Sequence, residues 1–129
     1  MTSDVMPLGR LLDGRFRFRL ACFQRAYAWR TEHVTRLLSD LRWAMQQSGR
    51  KRRYTLGRLM LAQHPGSADV ELVDGHQRML TLTTLFAVLR DLETDPKRAD
   101  ALHSLILDEA WSAGDPRRYR MLIQSMPAP

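Results

Sequence analysis

The stretch Arg15-Phe16-Arg17-Phe18-Arg19-Leu20 alternates charged and apolar side chains without a break. A period of two is that of a strand with one buried face, so Phe16, Phe18 and Leu20 are assigned to a core and three arginines to the opposite face. Other segments repeat differently. Val34, Leu37, Leu38, Leu41 and Met45 keep the i, i+3, i+4, i+7 stripe of a core-facing helix, expected over 32–48 with Thr31 as N-cap and Gly49 as C-cap. Within it, Arg36 and Asp40 are placed as an exposed i,i+4 pair. Tyr54–Ala62 reads as a largely buried strand, reversed by His64-Pro65-Gly66-Ser67 into a return strand over Val70–Val73. A long apolar helix follows from His76 to Leu92. A short helix is expected over Pro7–Asp13, another over Lys97–Leu107 behind the Asp95-Pro96 start signal, and a last strand over Tyr119–Ile123. Strands and helices interleaved in this way predict an α+β fold with a small mixed sheet and flanking helices.

A chain of 129 residues that is 44% hydrophobic has the length and apolar content for one domain, assigned to 1–129. A single cysteine, Cys22, forms no internal bridge and suits a reducing compartment. No segment has the roughly 20 apolar residues of a membrane span, and the N-terminus lacks the pattern of a secretory signal. A cytoplasmic protein is expected. His33, His64, His76 and His103 share no metal-ligand spacing with Cys22, which argues against a zinc site.

Charge is unevenly distributed. Residues 1–63 carry 13 basic and 4 acidic side chains, whereas 64–129 carry 7 and 10. A cationic half suggests a polyanion partner. Arg15, Arg17 and Arg19, together with Arg30 beside Tyr27 and Trp29, are therefore candidate nucleic-acid contacts. The alternative reading of these arginines is a solvated strand face.

The strand–Asp74-Gly75–helix junction is the most suggestive place for chemistry. A helix start offers unpaired N–H groups and partial positive charge, Gly75 permits close approach, and Arg78 in the first turn adds a bidentate anion donor. Asp74 either holds a metal that bridges phosphates or caps the helix.

Val73-Asp74-Gly75-His76-Gln77-Arg78-Met79-Leu80-Thr81-Leu82 resembles the "DGQQRLTTL" signature of the N-terminal domain of GmrSD-type restriction endonucleases. That domain belongs to the ParB/sulfiredoxin-like superfamily. Phe18–Trp29, which includes Gln24-Arg25-Ala26-Tyr27-Ala28-Trp29, resembles the family's "IPxYQRPYxW" segment, and Tyr54-Thr55-Leu56-Gly57 resembles its "YxLGS" strand. Arg117–Leu122 falls where the family has a basic strand. The match is collinear from about Leu8 to Ile123.

The resemblance implies a nucleoside triphosphate bound with Mg²⁺ and turned over, in the setting of modification-dependent DNA restriction and antiphage defence. Carried over by position, Asp74, Gln77 and Arg78 would be catalytic and Asp74 the metal ligand. Gln24, Arg25, Tyr27, Gly75, His76 and Arg78 would line the nucleotide. Full-length members carry an HNH-type nuclease domain. No such constellation occurs here, so no nuclease activity is expected from this chain, and the domain is expected to be shorter than the family's usual module. His76 stands where the signature has its first glutamine, and Met79-Leu80 where it has Leu-Thr. A changed first turn lowers turnover before it lowers binding, because an attacking water must be placed tightly. Weak hydrolysis is the expectation. Two alternatives belong to other classes: a non-catalytic DNA-binding or adaptor module, and a fragment completed by a nuclease-domain partner or by self-association.

Overall fold

The computed structural model describes residues 4–21, 28–49, 53–63, 65–66, 69–110, 112, 114–115 and 118–124. Its elements in chain order are α1 (Leu8–Leu11), β1 (Arg17–Ala21), α2 (Thr31–Met45), β2 (Met60–Gln63), β3 (Asp69–Asp74), α3 (His76–Leu92), α4 (Pro96–Ser104) and β4 (Met121–Gln124). The strands form one mixed sheet in the order β2-β3-β1-β4. β1 runs parallel to β3 and to β4, and β2 closes an antiparallel hairpin with β3.

The alternating segment forms a strand from Arg17, two residues later than expected, and the burial of Leu20 lies outside what is described. Phe18 is fully buried, and Phe16 packs from the edge of the same core with its ring centroid 6.2 Å from that of Phe18. β3 supplies Val70 and Leu72, α3 supplies Met79, and the turn after α1 supplies Leu12. The core therefore lies between the inner two strands and the first turns of α3. This fixes where α3 begins relative to the sheet.

Three helical expectations are revised. α2 starts one residue early, with Arg30 rather than Thr31 at the N-cap, and ends at Met45 instead of 48. His33 explains the shift: its Nδ1 accepts the Arg30 N–H at 2.9 Å, the reciprocal half of a capping box. Asp40 does not pair with Arg36 but accepts the Tyr54 hydroxyl at 3.1 Å. α4 stops at Ser104, because Leu107 is drawn into a bridge with Tyr119, which also leaves Tyr119 outside β4.

At the start of α4, Asp95 accepts the Lys97 N–H and Pro96 occupies the first helical position. Asp95→Ala should lower stability by about 1 kcal/mol, the usual worth of such a cap. Urea unfolding with an unchanged slope would show it. Arg120 is a buried cation among the described residues. Its Nε and Nη2 both donate to the Ser104 carbonyl, at 3.2 and 3.0 Å, at the C-terminal end of α4 where positive charge is favoured. No helix of the described residues is long and apolar enough to cross a membrane.

Candidate functional site

Parallel pairing of β1 with β3 brings their C-terminal ends to one edge of the sheet. Ala28, seven residues past the end of β1, meets the β3–α3 junction there, the usual place for a ligand crevice in sheets with parallel strands. The contact is direct: the Ala28 N–H donates to Gln77 Oε1 at 2.7 Å across 49 residues of sequence. Gln77 also meets its neighbour His76, Nε2 to Nε2 at 2.9 Å. Its backbone carbonyl receives the hydroxyl of buried Thr81 at 2.8 Å, which locks the first turn of α3.

A third segment completes the site. The strand expected over Tyr54–Ala62 is not formed over 54–59, and pairing begins only at Met60. Gly57 is the reason. Its φ of +110° is incompatible with a strand and disfavoured for any residue bearing a Cβ. A register shift between Met60 and Leu61 then sets Met60 opposite Asp74, so the irregular stretch runs against the start of α3. Gly75, at φ +93°, packs there: a Cβ on it would overlap Cδ2 of Leu59 and stand 3.2 Å from the Arg58 carbonyl oxygen. The glycine that the sequence associates with ligand approach is thus also demanded by the protein's own packing.

Arg78, half-buried in the first turn, reaches back over the same stretch. A Cβ built on Gly57 would overlap Nη1 of Arg78 and lie 3.1 Å from its Cζ. Among the described residues, no hydrogen bond or ion pair engages this guanidinium. Its charge is nevertheless felt by Tyr54. Burial and the Asp40 carboxylate raise the Tyr54 pKa above its ordinary value of 10.0, while Arg78 and Arg36 oppose the rise. Asp74 is exposed at the end of β3, with Oδ1 accepting the N–H of the adjacent Gly75 at 2.9 Å; Gly75 is the N-cap of α3, so Asp74 is not the helix cap that one of its two readings expected. Oδ2 makes no bond to a described residue. No group of three metal-ligating side chains occurs among the described residues. The exposed Asp74 carboxylate would fit a Mg²⁺ that takes its other ligands from phosphates and water.

The structure therefore gathers Asp74, Gly75, His76, Gln77 and Arg78, with Arg30 close in sequence to the Ala28 contact. Gln24, Arg25 and Tyr27 lie outside the described residues. The strand arginines are placed elsewhere and are engaged. Arg17 Nε lies 2.7 Å from Asp69 Oδ1 and Arg19 Nε 3.5 Å from Asp69 Oδ2, while Arg15 pairs with Asp13 at 3.4 Å. Asp69 begins β3 and Asp74 ends it, a separation of roughly 16 Å at 3.3 Å per residue. These arginines do not flank the α3 site, and with three guanidiniums against the two carboxylates of Asp13 and Asp69 their face keeps a net positive charge. Sequence reasoning missed the part played by Tyr54, Asp40 and Gly57. The available signal was a lone glycine inside an otherwise apolar strand pattern, which marks a bulge or a close approach.

No curated protein and no solved structure matches the chain. A family model does: that of the GmrSD restriction endonuclease N-terminal domain, over residues 8–124. The match takes in β1, the Gly57 stretch, the whole β3–α3 junction and β4, and the chain belongs to the GmrSD restriction endonuclease N-terminal domain family.

Proposed function

We propose that the α3 N-terminus binds the phosphates of a nucleoside triphosphate with Mg²⁺ and hydrolyses it weakly, on a ParB/sulfiredoxin-like scaffold. The observation that carries this reading is Arg78, a half-buried guanidinium in the first turn of a 17-residue helix, engaged by no described partner. A guanidinium that pairs with no described carboxylate, in the first turn of a helix whose dipole favours negative charge, is complementary to a polyphosphate. Bound Mg²⁺ would neutralise charge on the transferring phosphoryl group. Asp74 Oδ2 is the protein oxygen suited to hold it. Gln77, anchored at Oε1 by Ala28, presents its amide at the same turn to orient ligand or water.

The family's description as part of a restriction endonuclease supports a role in cytoplasmic DNA restriction and antiphage defence, with a nuclease domain acting on DNA. The phosphate-bearing ligand of this domain is then nucleotide rather than DNA. The Arg17–Asp69–Arg19 cluster supports that assignment in part, because Asp69 offsets some of the positive charge on the strand face a DNA reader would use.

Asp74→Asn separates metal from phosphate. It should leave Mg²⁺-free nucleotide affinity within about twofold and reduce Mg²⁺-dependent phosphate release at least roughly tenfold, as expected where the metal carries transition-state charge. Calorimetric titration and a phosphate-release assay read the two effects. Equal release by wild type and Asp74→Asn would contradict the metal assignment.

A further inference from the structure

Resting on that reading of Arg78, we propose that Gly57 and the Tyr54–Asp40 pair form a seat that positions the Arg78 guanidinium for its anion. The evidence is steric first. Gly57 turns the 53–59 stretch with a φ no other residue adopts comfortably, and the space its missing side chain leaves is filled by Nη1, Cζ and Nη2 of Arg78. Tyr54 lies three residues earlier and is tied to α2 by its 3.1 Å hydrogen bond to Asp40. The stretch is thus fastened at α2 on one side and at β2 on the other. A long, flexible side chain such as arginine loses rotamer freedom when it binds, and a seat that holds it beforehand lowers that cost. Gly57 is accordingly a positioning residue, acting on the ligand only through Arg78.

The field around Tyr54 makes this measurable without any nucleotide. Asp40 favours the neutral phenol, and Arg78 and Arg36 favour the phenolate. Unseating Arg78 removes one of the two opposing cations, so the Tyr54 ionisation must move further up in pH.

The test is the phenolate absorbance titration of the full chain, with the Tyr54→Phe counterpart of each variant subtracted. Gly57→Ala is expected to shift the Tyr54 midpoint upward, Arg78→Ala to shift it likewise, and the double variant to shift it no further. A folded Gly57→Ala protein with an unmoved Tyr54 midpoint overturns the seat. Thermal unfolding gives a second arm, independent of whether the single variant folds. The overlap at Gly57 is with Arg78, so Gly57→Ala should be less damaging in the Arg78→Ala background. A double variant as unstable as the two losses added overturns the proposal.

Mg²⁺–ATP titration then separates this inference from the functional reading. Gly57→Ala should weaken binding roughly tenfold, the order of one charge-assisted contact, and add nothing once Arg78 is alanine. Tyr54 shifts as described in a protein that binds no nucleotide would uphold the seat and refute the nucleotide site.

Discussion

Arg78→Ala is expected to weaken nucleoside triphosphate binding by about 10- to 100-fold while leaving the fold intact. The magnitude follows from the chemistry: hydrogen bonds to charged groups are worth about 1.5–3 kcal/mol, and each 1.4 kcal/mol is a tenfold change in affinity. The guanidinium makes no bond to any described residue. Its removal forfeits packing over Gly57 but no bond to a described residue, so stability should fall by only about 1 kcal/mol. Arg78→Lys should fall between the two, since it keeps the charge and loses the planar fork. Calorimetric titration reads affinity and urea unfolding reads stability. Equal affinity in wild type and Arg78→Ala would leave the site without its principal anion donor.

The largest expected loss of stability lies at Phe18. It is fully buried on β1, which pairs with both β3 and β4, and its neighbours Val70, Leu72 and Met79 come from the other walls of the core. Truncation leaves a void bounded on every side by elements the sheet cannot release. Phe18→Ala should cost about 3–5 kcal/mol. Small domains have only about 5–15 kcal/mol to lose. The variant is therefore expected to melt far below the wild type or to populate unfolded chain at ambient temperature, and the circular dichroism melt decides it. Phe16 lies at the edge of the same cluster, so Phe16→Ala should cost distinctly less.

Local rules placed much of this fold correctly. Helix α3 begins and ends where its apolar run does, at His76 and Leu92, because Gly75 starts it and no internal breaker interrupts it. The β2–β3 hairpin follows from its Pro-Gly turn, and the α+β class from the alternation of periods. What local rules could not reach are pairings set by tertiary geometry. Asp69 stands 52 residues from Arg17, so the sequence around Arg17 does not reveal that it meets a carboxylate on the next strand. Tyr54 takes Asp40 away from Arg36, a helical neighbour that spacing alone favours. The irregular path of residues 53–59 hinges on one positive φ at Gly57, which periodicity does not encode.

The candidate site divides along the same line. Asp74, Gly75, Gln77 and Arg78 were legible because a helix start is a local motif with its own electrostatics. The support behind Arg78 was not, since it is built by a stretch that precedes α3 by some twenty residues and meets it only through the bulged pairing of Met60 with Asp74. For the strand arginines, the alternating pattern puts Arg17 and Arg19 on one face and says nothing of Asp69, their shared partner on the next strand.

The most direct measurement of the central claim is thermal unfolding of the chain with and without millimolar nucleoside triphosphates and Mg²⁺. A ligand that binds only the folded state stabilises it by RT ln(1 + [L]/Kd), about 2.7 kcal/mol at 100 Kd. In a domain of this size that corresponds to a rise in Tm on the order of 10 °C. The account predicts such a rise with at least one nucleotide, and its loss in Arg78→Ala. A cooperatively melting wild-type chain whose Tm moves with none of the nucleotides, or moves equally in Arg78→Ala, would contradict it.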